Sequence, residues 1–134
     1  MRFHSMLVSS LVFAFLAGFV PAALADNFDG VYVGKSKLQG QNYQSSGARV
    51  GCKPEYDIKI TIAGNRLTGE NLSIGGKATG TVQPDGSYTA SGGLGTLTQA
   101  SSQGRVQGNV VRGTFTQMTN GATCTGTLEA TRQP

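Results

Sequence analysis

Histidine and tryptophan are nearly missing from this sequence of 134 residues: it has no tryptophan, and its only histidine is His4. We expect His4 to be lost with an N-terminal export signal that ends at Ala25. Without an imidazole, the mature chain has no Ser-His-Asp or Cys-His group for nucleophilic catalysis and no histidine to bind a metal. The sequence therefore predicts a protein that is not an enzyme and uses no cofactor or metal.

The export signal is predicted from three features of residues 1–25. Arg2 supplies a positive charge, an apolar run extends from Leu7 to Val20, and Ala23-Leu24-Ala25 suits cleavage by a signal peptidase. No cysteine follows the cleavage position, so a lipid anchor is not expected. We expect residues 26–134 to form a single domain in the periplasm or outside the cell.

Charged residues and long apolar runs are also scarce. Charged residues make up 13% of the chain, with 11 basic against 7 acidic ones. The basic residues are scattered and do not form a stripe interleaved with aromatic residues, so no nucleic-acid partner is expected. No apolar run after Val20 approaches the roughly 18 residues of a membrane-spanning helix, so the mature protein is predicted to lack a transmembrane span.

Cysteine is limited to two residues, Cys52 and Cys124. In an oxidising compartment, an isolated pair in a small domain usually forms a disulfide bond. Redox-active pairs commonly lie in a Cys-x-x-Cys motif, which this chain does not contain. We therefore expect a structural disulfide, and closing so long a loop would stabilise the fold by roughly 4 kcal/mol.

The mature chain shows alternation of apolar and polar residues and no helical periodicity. The clearest alternation extends from Tyr56 to Ile62, where every even position is apolar and every odd position is polar. A second one extends from Ala122 to Thr131 and places Cys124 on its inner face. This pattern is typical of β-strands that bury one face.

Four turns give a second prediction of the inner face, because loop length fixes the register of a hairpin. The predicted turns are Gly64-Asn65, Pro84-Asp85-Gly86, Gly108-Asn109 and Asn120-Gly121. They place Ile62 opposite Leu67, Val82 opposite Tyr88, Val106 opposite Val111, and Phe115 opposite Gly126. The inner faces predicted by the turns agree with those predicted by the alternation.

Inward-facing glycines indicate a strongly curved sheet. The turns place Ile60 over Gly69, Phe115 over Gly126 and Leu128 over Gly113, an arrangement that small barrels use where the sheet bends. Eight or nine strands follow one another along the chain. We predict an all-β fold, in which a small antiparallel up-and-down meander closes into a barrel of about eight strands with one disulfide.

The longest segment without alternation extends from Gln39 to Arg49, and a second polar segment extends from Gln99 to Gln103. Long loops at the mouth of a barrel commonly carry a binding function. We predict that residues 39–49 contact an envelope or extracellular macromolecule, with Tyr43 and Arg49 as anchors. The main hypothesis is therefore a non-enzymatic binding or inhibitory module.

The alternative is a carrier that holds a small apolar ligand inside the barrel, because inward glycine and alanine residues would also leave space there. The predicted architecture resembles that of lipocalin-type and avidin-type barrels and of small periplasmic inhibitors. Lipocalins and avidins use tryptophan near the barrel floor or the ligand, and this chain has none. Similar architecture does not assign a function, so both hypotheses stay open.

Overall fold

The computed structural model describes residues 27–43, 52–93, 99–119 and 122–134, and every structural statement below concerns these residues. They form eight β-strands and no helix, so the described part of the chain offers no helix that could cross a membrane. The strands are β1 Gly30–Tyr43, β2 Glu55–Ala63, β3 Arg66–Asn71, β4 Lys77–Val82, β5 Ser87–Gly93, β6 Gln99–Gln107, β7 Val110–Thr119 and β8 Ala122–Arg132.

The sheet closes into a barrel, which confirms the predicted fold class. Each strand pairs with the next one in antiparallel fashion, and β1 also pairs with β8. The predicted register is confirmed at all four hairpins: Ile62 pairs with Leu67, Val82 with Tyr88, Val106 with Val111, and Phe115 with Gly126.

Two of these hairpins turn on a glycine in the left-handed region of backbone conformation. Gly64 has a φ angle of +65° and Gly108 has a φ angle of +57°. A two-residue hairpin turn needs this conformation, which costs other residues more than it costs glycine. The short loops therefore fix which side chains of the adjoining strands point inward.

The first predicted loop is partly wrong, because β1 does not end before residue 39. It continues to Tyr43 and stays paired with β8 after a shift in register between Leu38 and Gly40. A bulge of this kind inserts an extra residue and moves the alternation by one position. The alternation in the sequence is broken at that point, although the strand continues.

The second predicted loop, from Gln99 to Gln103, is also wrong, because these residues begin β6. Gln99, Ser101 and Gln103 are exposed, whereas Ala100 and Ser102 are half-buried. The inner residues of this strand are small and the outer ones are polar. The segment therefore lacks the large apolar residues that would have marked it as a strand in the sequence. The ninth strand that the sequence allowed, over residues 94–98, lies outside the described residues.

The predicted disulfide between Cys52 and Cys124 is present, with 6.2 Å between the two Cα atoms. Cys52 precedes β2, and Cys124 lies fully buried in β8. Since β1 lies between β2 and β8 in the barrel, the bridge crosses the seam where the last strand joins the first.

One end of the barrel, where the chain enters β1 and leaves β8, is filled by side chains, and we call it the floor. Its buried residues include Tyr32, Ile62, Leu67, Val82, Val106, Val111 and Ala130, with Phe28 packed against them. We call the opposite end, where β3 connects to β4 and β7 to β8, the mouth.

Hydrogen bonds to Arg132 close the floor. The guanidinium donates to the Tyr32 hydroxyl from Nη2 at 2.7 Å and from Nε at 3.0 Å, and Nη2 also donates to the Asn27 carbonyl at 3.0 Å. The Tyr32 hydroxyl in turn donates to the Phe28 carbonyl at 2.8 Å. The residues before β1 are thereby attached to the end of β8, and the polar groups of the floor are paired.

Candidate functional site

A cavity of about 120 Å³ lies inside the barrel between the floor and the mouth. Several of the residues that line it on β3 to β6 are small, namely Gly69, Ala78, Ala90 and Ala100, although Leu67 and Tyr88 on these strands line it as well. The strands across the barrel contribute the larger apolar residues Ile58, Ile60, Phe115 and Leu128.

Gly69 is the inward glycine that leaves the most room. An ideal Cβ atom placed there would have a single neighbour within 4 Å, the carbonyl oxygen of Ala78 at 4.0 Å. Ile60 lies opposite Gly69 as predicted, but its side chain does not cover the glycine. At Gly126 the corresponding prediction is confirmed, because the Phe115 ring lies 2.7 Å from the ideal Cβ position. The Cβ position of Gly113 is occupied by the Tyr88 hydroxyl and not by Leu128.

Two polar side chains, Ser36 and Gln117, line the cavity while being almost fully buried. Ser36 is 5% exposed and Gln117 is 7% exposed. Neither side chain has a hydrogen-bond partner among the described residues, whereas every fully enclosed side-chain nitrogen or oxygen there does have one. The polar atoms of Ser36 and Gln117 therefore reach the open space of the cavity.

These two residues lie on the strands that flank β8. Ser36 on β1 is opposite Leu128, and Gln117 on β7 is opposite Cys124. Gln117 is thus nearer the disulfide at the mouth, and Ser36 is deeper in the barrel. A molecule in the cavity would meet polar groups at two depths.

Two other polar groups of the cavity wall, the hydroxyls of Tyr88 and Ser102, are paired within the protein. The Ser102 hydroxyl donates to the Thr114 carbonyl at 2.9 Å and lies 3.0 Å from the Tyr88 hydroxyl, which must then be the donor between these two. Burial raises the pKa of Tyr88, and the hydrogen bond with Ser102 opposes part of that shift. Tyr88 thus stays neutral across the physiological pH range.

Charged groups line the cavity only at its edge, within the part of the chain that the structure describes. Lys77 Nζ and Glu70 Oε1 are 3.9 Å apart, and the Lys77 side chain is 71% exposed. Since Lys77 is exposed and also lines the cavity, the cavity reaches the surface beside β3 and β4. The deeper lining consists of apolar residues and neutral polar ones.

Of the two anchors predicted from the sequence, the structure describes only the backbone of Tyr43. Tyr43 is the last residue of β1, opposite Ala122, but its side chain and the whole of Arg49 lie outside the described residues. Their role in binding stays a prediction. Ser36 and Gln117 were not predicted from the sequence, although a polar residue at an inward position of an alternating strand is a signal that could have identified them.

Metal ligands do not cluster in the described ranges: no three Cys, Asp or Glu side chains there are placed to hold a metal ion. Comparisons with protein-family models, with curated proteins and with solved structures gave no match. The cavity and its lining are therefore the basis on which a function can be assigned.

Proposed function

We propose that the protein is a non-catalytic binding protein that holds a small, mainly apolar molecule inside its barrel. The observation that supports this most directly is the cavity of about 120 Å³ between two apolar sides of the wall. An engineered apolar cavity of about 150 Å³ in another protein binds benzene, so a molecule of about six to nine heavy atoms fits here.

The affinity expected from such a cavity is modest. Each CH₂ group moved out of water contributes about 0.8 kcal/mol, so six or seven carbon atoms contribute about 5 kcal/mol. A free energy of this size corresponds to a dissociation constant of about 0.1 to 1 mM. Hydrogen bonds within the cavity, or contacts at its edge, would make the natural ligand bind more tightly.

The proposed place of action is the periplasm or the outside of the cell. A disulfide between Cys52 and Cys124 is compatible with an oxidising compartment. Residues 1–25 lie outside the described residues, so the export signal that ends at Ala25 stays a prediction.

The test replaces Gly69 with leucine, whose side chain has open space to enter. We expect the purified Gly69→Leu protein to fold and to lose toluene binding, followed by NMR through the methyl signals of Ile58 and Ile60. Thr68→Leu is the matched control, because it places the same side chain on the exposed face of the same strand. The proposal is wrong if the parent protein does not bind toluene, or if Gly69→Leu binds it as well as the control does.

The barrel could also display the segment after β1 to a macromolecule. The contacts of the residues that flank this segment favour this second function. The Gln41 side-chain carbonyl accepts a hydrogen bond from the Cys52 amide at 2.7 Å, and Cys52 is joined to Cys124. The residues on either side of this segment, Tyr43 and Cys52, are thus fixed at the mouth, and anchored flanks lower the entropy that a segment loses on binding. If alanine at Tyr43 and Arg49 leaves the capture of an envelope partner unchanged, this proposal is wrong.

A further inference from the structure

Two polar side chains of the cavity, Ser36 and Gln117, form no hydrogen bond with the described protein. Polar groups in protein interiors are nearly always hydrogen-bonded, because burying one without a partner is unfavourable. Ser36 and Gln117 are more than nine-tenths buried, line the cavity and have no partner among the described residues. Their partners therefore come from outside the described protein, either water in the cavity or a bound molecule that displaces it.

Other polar side chains in the interior of the barrel do have hydrogen-bond partners within the protein. The Tyr88 and Ser102 hydroxyls are linked to each other and to the Thr114 carbonyl. The Tyr32 hydroxyl both donates and accepts hydrogen bonds in the floor. The two exceptions, Ser36 and Gln117, both border the same open space.

The chemistry of these two side chains limits what can pair with them. A hydroxyl and a primary amide each donate and accept hydrogen bonds, and both are neutral. Among the described residues, the charged ones along the cavity are Glu70 and Lys77, which lie at its edge and near each other. An ionised group placed deep in the cavity would lose its hydration without gaining a counter-charge, which is strongly unfavourable.

We propose that the ligand of the cavity is a neutral molecule that carries a hydroxyl, carbonyl or amide group on an apolar body. This group forms a hydrogen bond with Ser36 or with Gln117, and the apolar body lies against Ile58, Ile60 and Phe115. The inference rests on the proposed function, since it specifies the ligand class of the same cavity.

The test uses two pairs of probe molecules that differ in one property each. Toluene and phenol have the same size and shape, but only phenol carries a hydroxyl. Benzamide and benzoate likewise match in size, but only benzoate is charged at neutral pH. Dissociation constants come from NMR titrations of the purified, oxidised protein. We expect phenol to bind about 2- to 10-fold more tightly than toluene, and benzamide at least about tenfold more tightly than benzoate.

The variant that removes the polar groups is the double substitution Ser36→Ala and Gln117→Met, which keeps side-chain size nearly constant. It should bind toluene as the parent does and lose the preference for phenol. Because Ser36 and Gln117 form no side-chain hydrogen bond within the described protein, the substitutions break none, and the stability without ligand should stay close to that of the parent. The matched control, Ser91→Ala with Gln103→Met, makes the same substitutions on the exposed outer face and should keep the preference.

The outcomes separate this inference from the proposed function. If none of the four probes binds the parent protein, the proposed function fails and the inference fails with it. If the probes bind but phenol has no advantage over toluene, or benzoate matches benzamide, only the inference is wrong. A preference for phenol that survives in the Ser36→Ala, Gln117→Met protein would likewise overturn it.

Discussion

Two inward-facing glycines on neighbouring strands should respond in opposite ways to the same substitution. Gly69 on β3 and Gly80 on β4 both point into the barrel, where Gly69 pairs with Ala78 and Gly80 pairs with Ala90. A Cβ atom at Gly69 meets open space, whereas one at Gly80 would collide with the backbone carbonyl oxygen of Thr89. Gly69→Ala should stabilise the protein, and Gly80→Ala should destabilise it.

The expected sizes follow from the surroundings of each residue. At Gly69, replacing glycine in a strand recovers about 0.5 to 1 kcal/mol of backbone entropy, and burying one methyl group adds about 0.8 kcal/mol. The free energy of unfolding should therefore rise by about 1 to 2 kcal/mol. At Gly80 the entropy gain is the same, but moving the backbone apart costs typically 1 to 3 kcal/mol and outweighs it. The two variants should differ by about 2 to 4 kcal/mol.

Urea denaturation followed by circular dichroism measures both free energies of unfolding. It has to be performed on ligand-free protein, because a bound ligand would add stability to the parent. In thermal melts, the rise for Gly69→Ala should be about 4 °C or more. If Gly69→Ala is as destabilising as Gly80→Ala, there is no open space at Gly69, and the cavity on which the proposed function rests is absent.

Removing the disulfide with Cys52→Ser and Cys124→Ser should lower the free energy of unfolding by about 4 kcal/mol, because the bridge joins residues 72 positions apart; a urea midpoint equal to that of the oxidised parent would contradict this. A second prediction concerns high pH. Burial raises the pKa of Tyr88 above its ordinary value of 10.0, so the folded protein holds this proton more tightly than the unfolded chain. Stability that is complete below pH 10 should therefore fall as the pH rises above about 10. The loss of stability at high pH should be smaller in Tyr88→Phe than in the parent. If the two proteins have identical alkaline unfolding curves, this prediction is wrong.

The barrel itself could be predicted from the sequence because its determinants are local. A period of two residues assigns each side chain to a face, and a two-residue turn such as Gly64-Asn65 fixes how the next strand pairs. These two signals are independent, and at Ile62 and Leu67 they gave the same inner face that the structure shows. Closure into a barrel is one way to bury the inner face of a strongly curved meander, and it leaves no strand edge unpaired.

The site was harder to predict because its determinants are not local. At Gly69 the sequence allowed two interpretations, a bend covered by a large residue or an empty space, and the choice depends on how far side chains of distant strands reach across the barrel. The bulge after Leu38 interrupted the alternation of β1, so the continuation of that strand to Tyr43 could not be recognised from its own residues. Pairing with β8 determines that β1 continues to Tyr43, and β8 is the strand farthest from β1 in the sequence.

The division of the interior into a packed floor and an open cavity connects stability with binding. The cavity leaves its apolar lining with fewer packing contacts than a filled interior would provide, which lowers the stability of the fold. The disulfide contributes about 4 kcal/mol in the opposite direction. A methyl group at Gly69 would recover part of the same energy, but it would occupy the space that the ligand needs. Gly69→Ala should therefore be more stable than the parent and a weaker binder of toluene, which is the trade-off expected where a cavity serves binding.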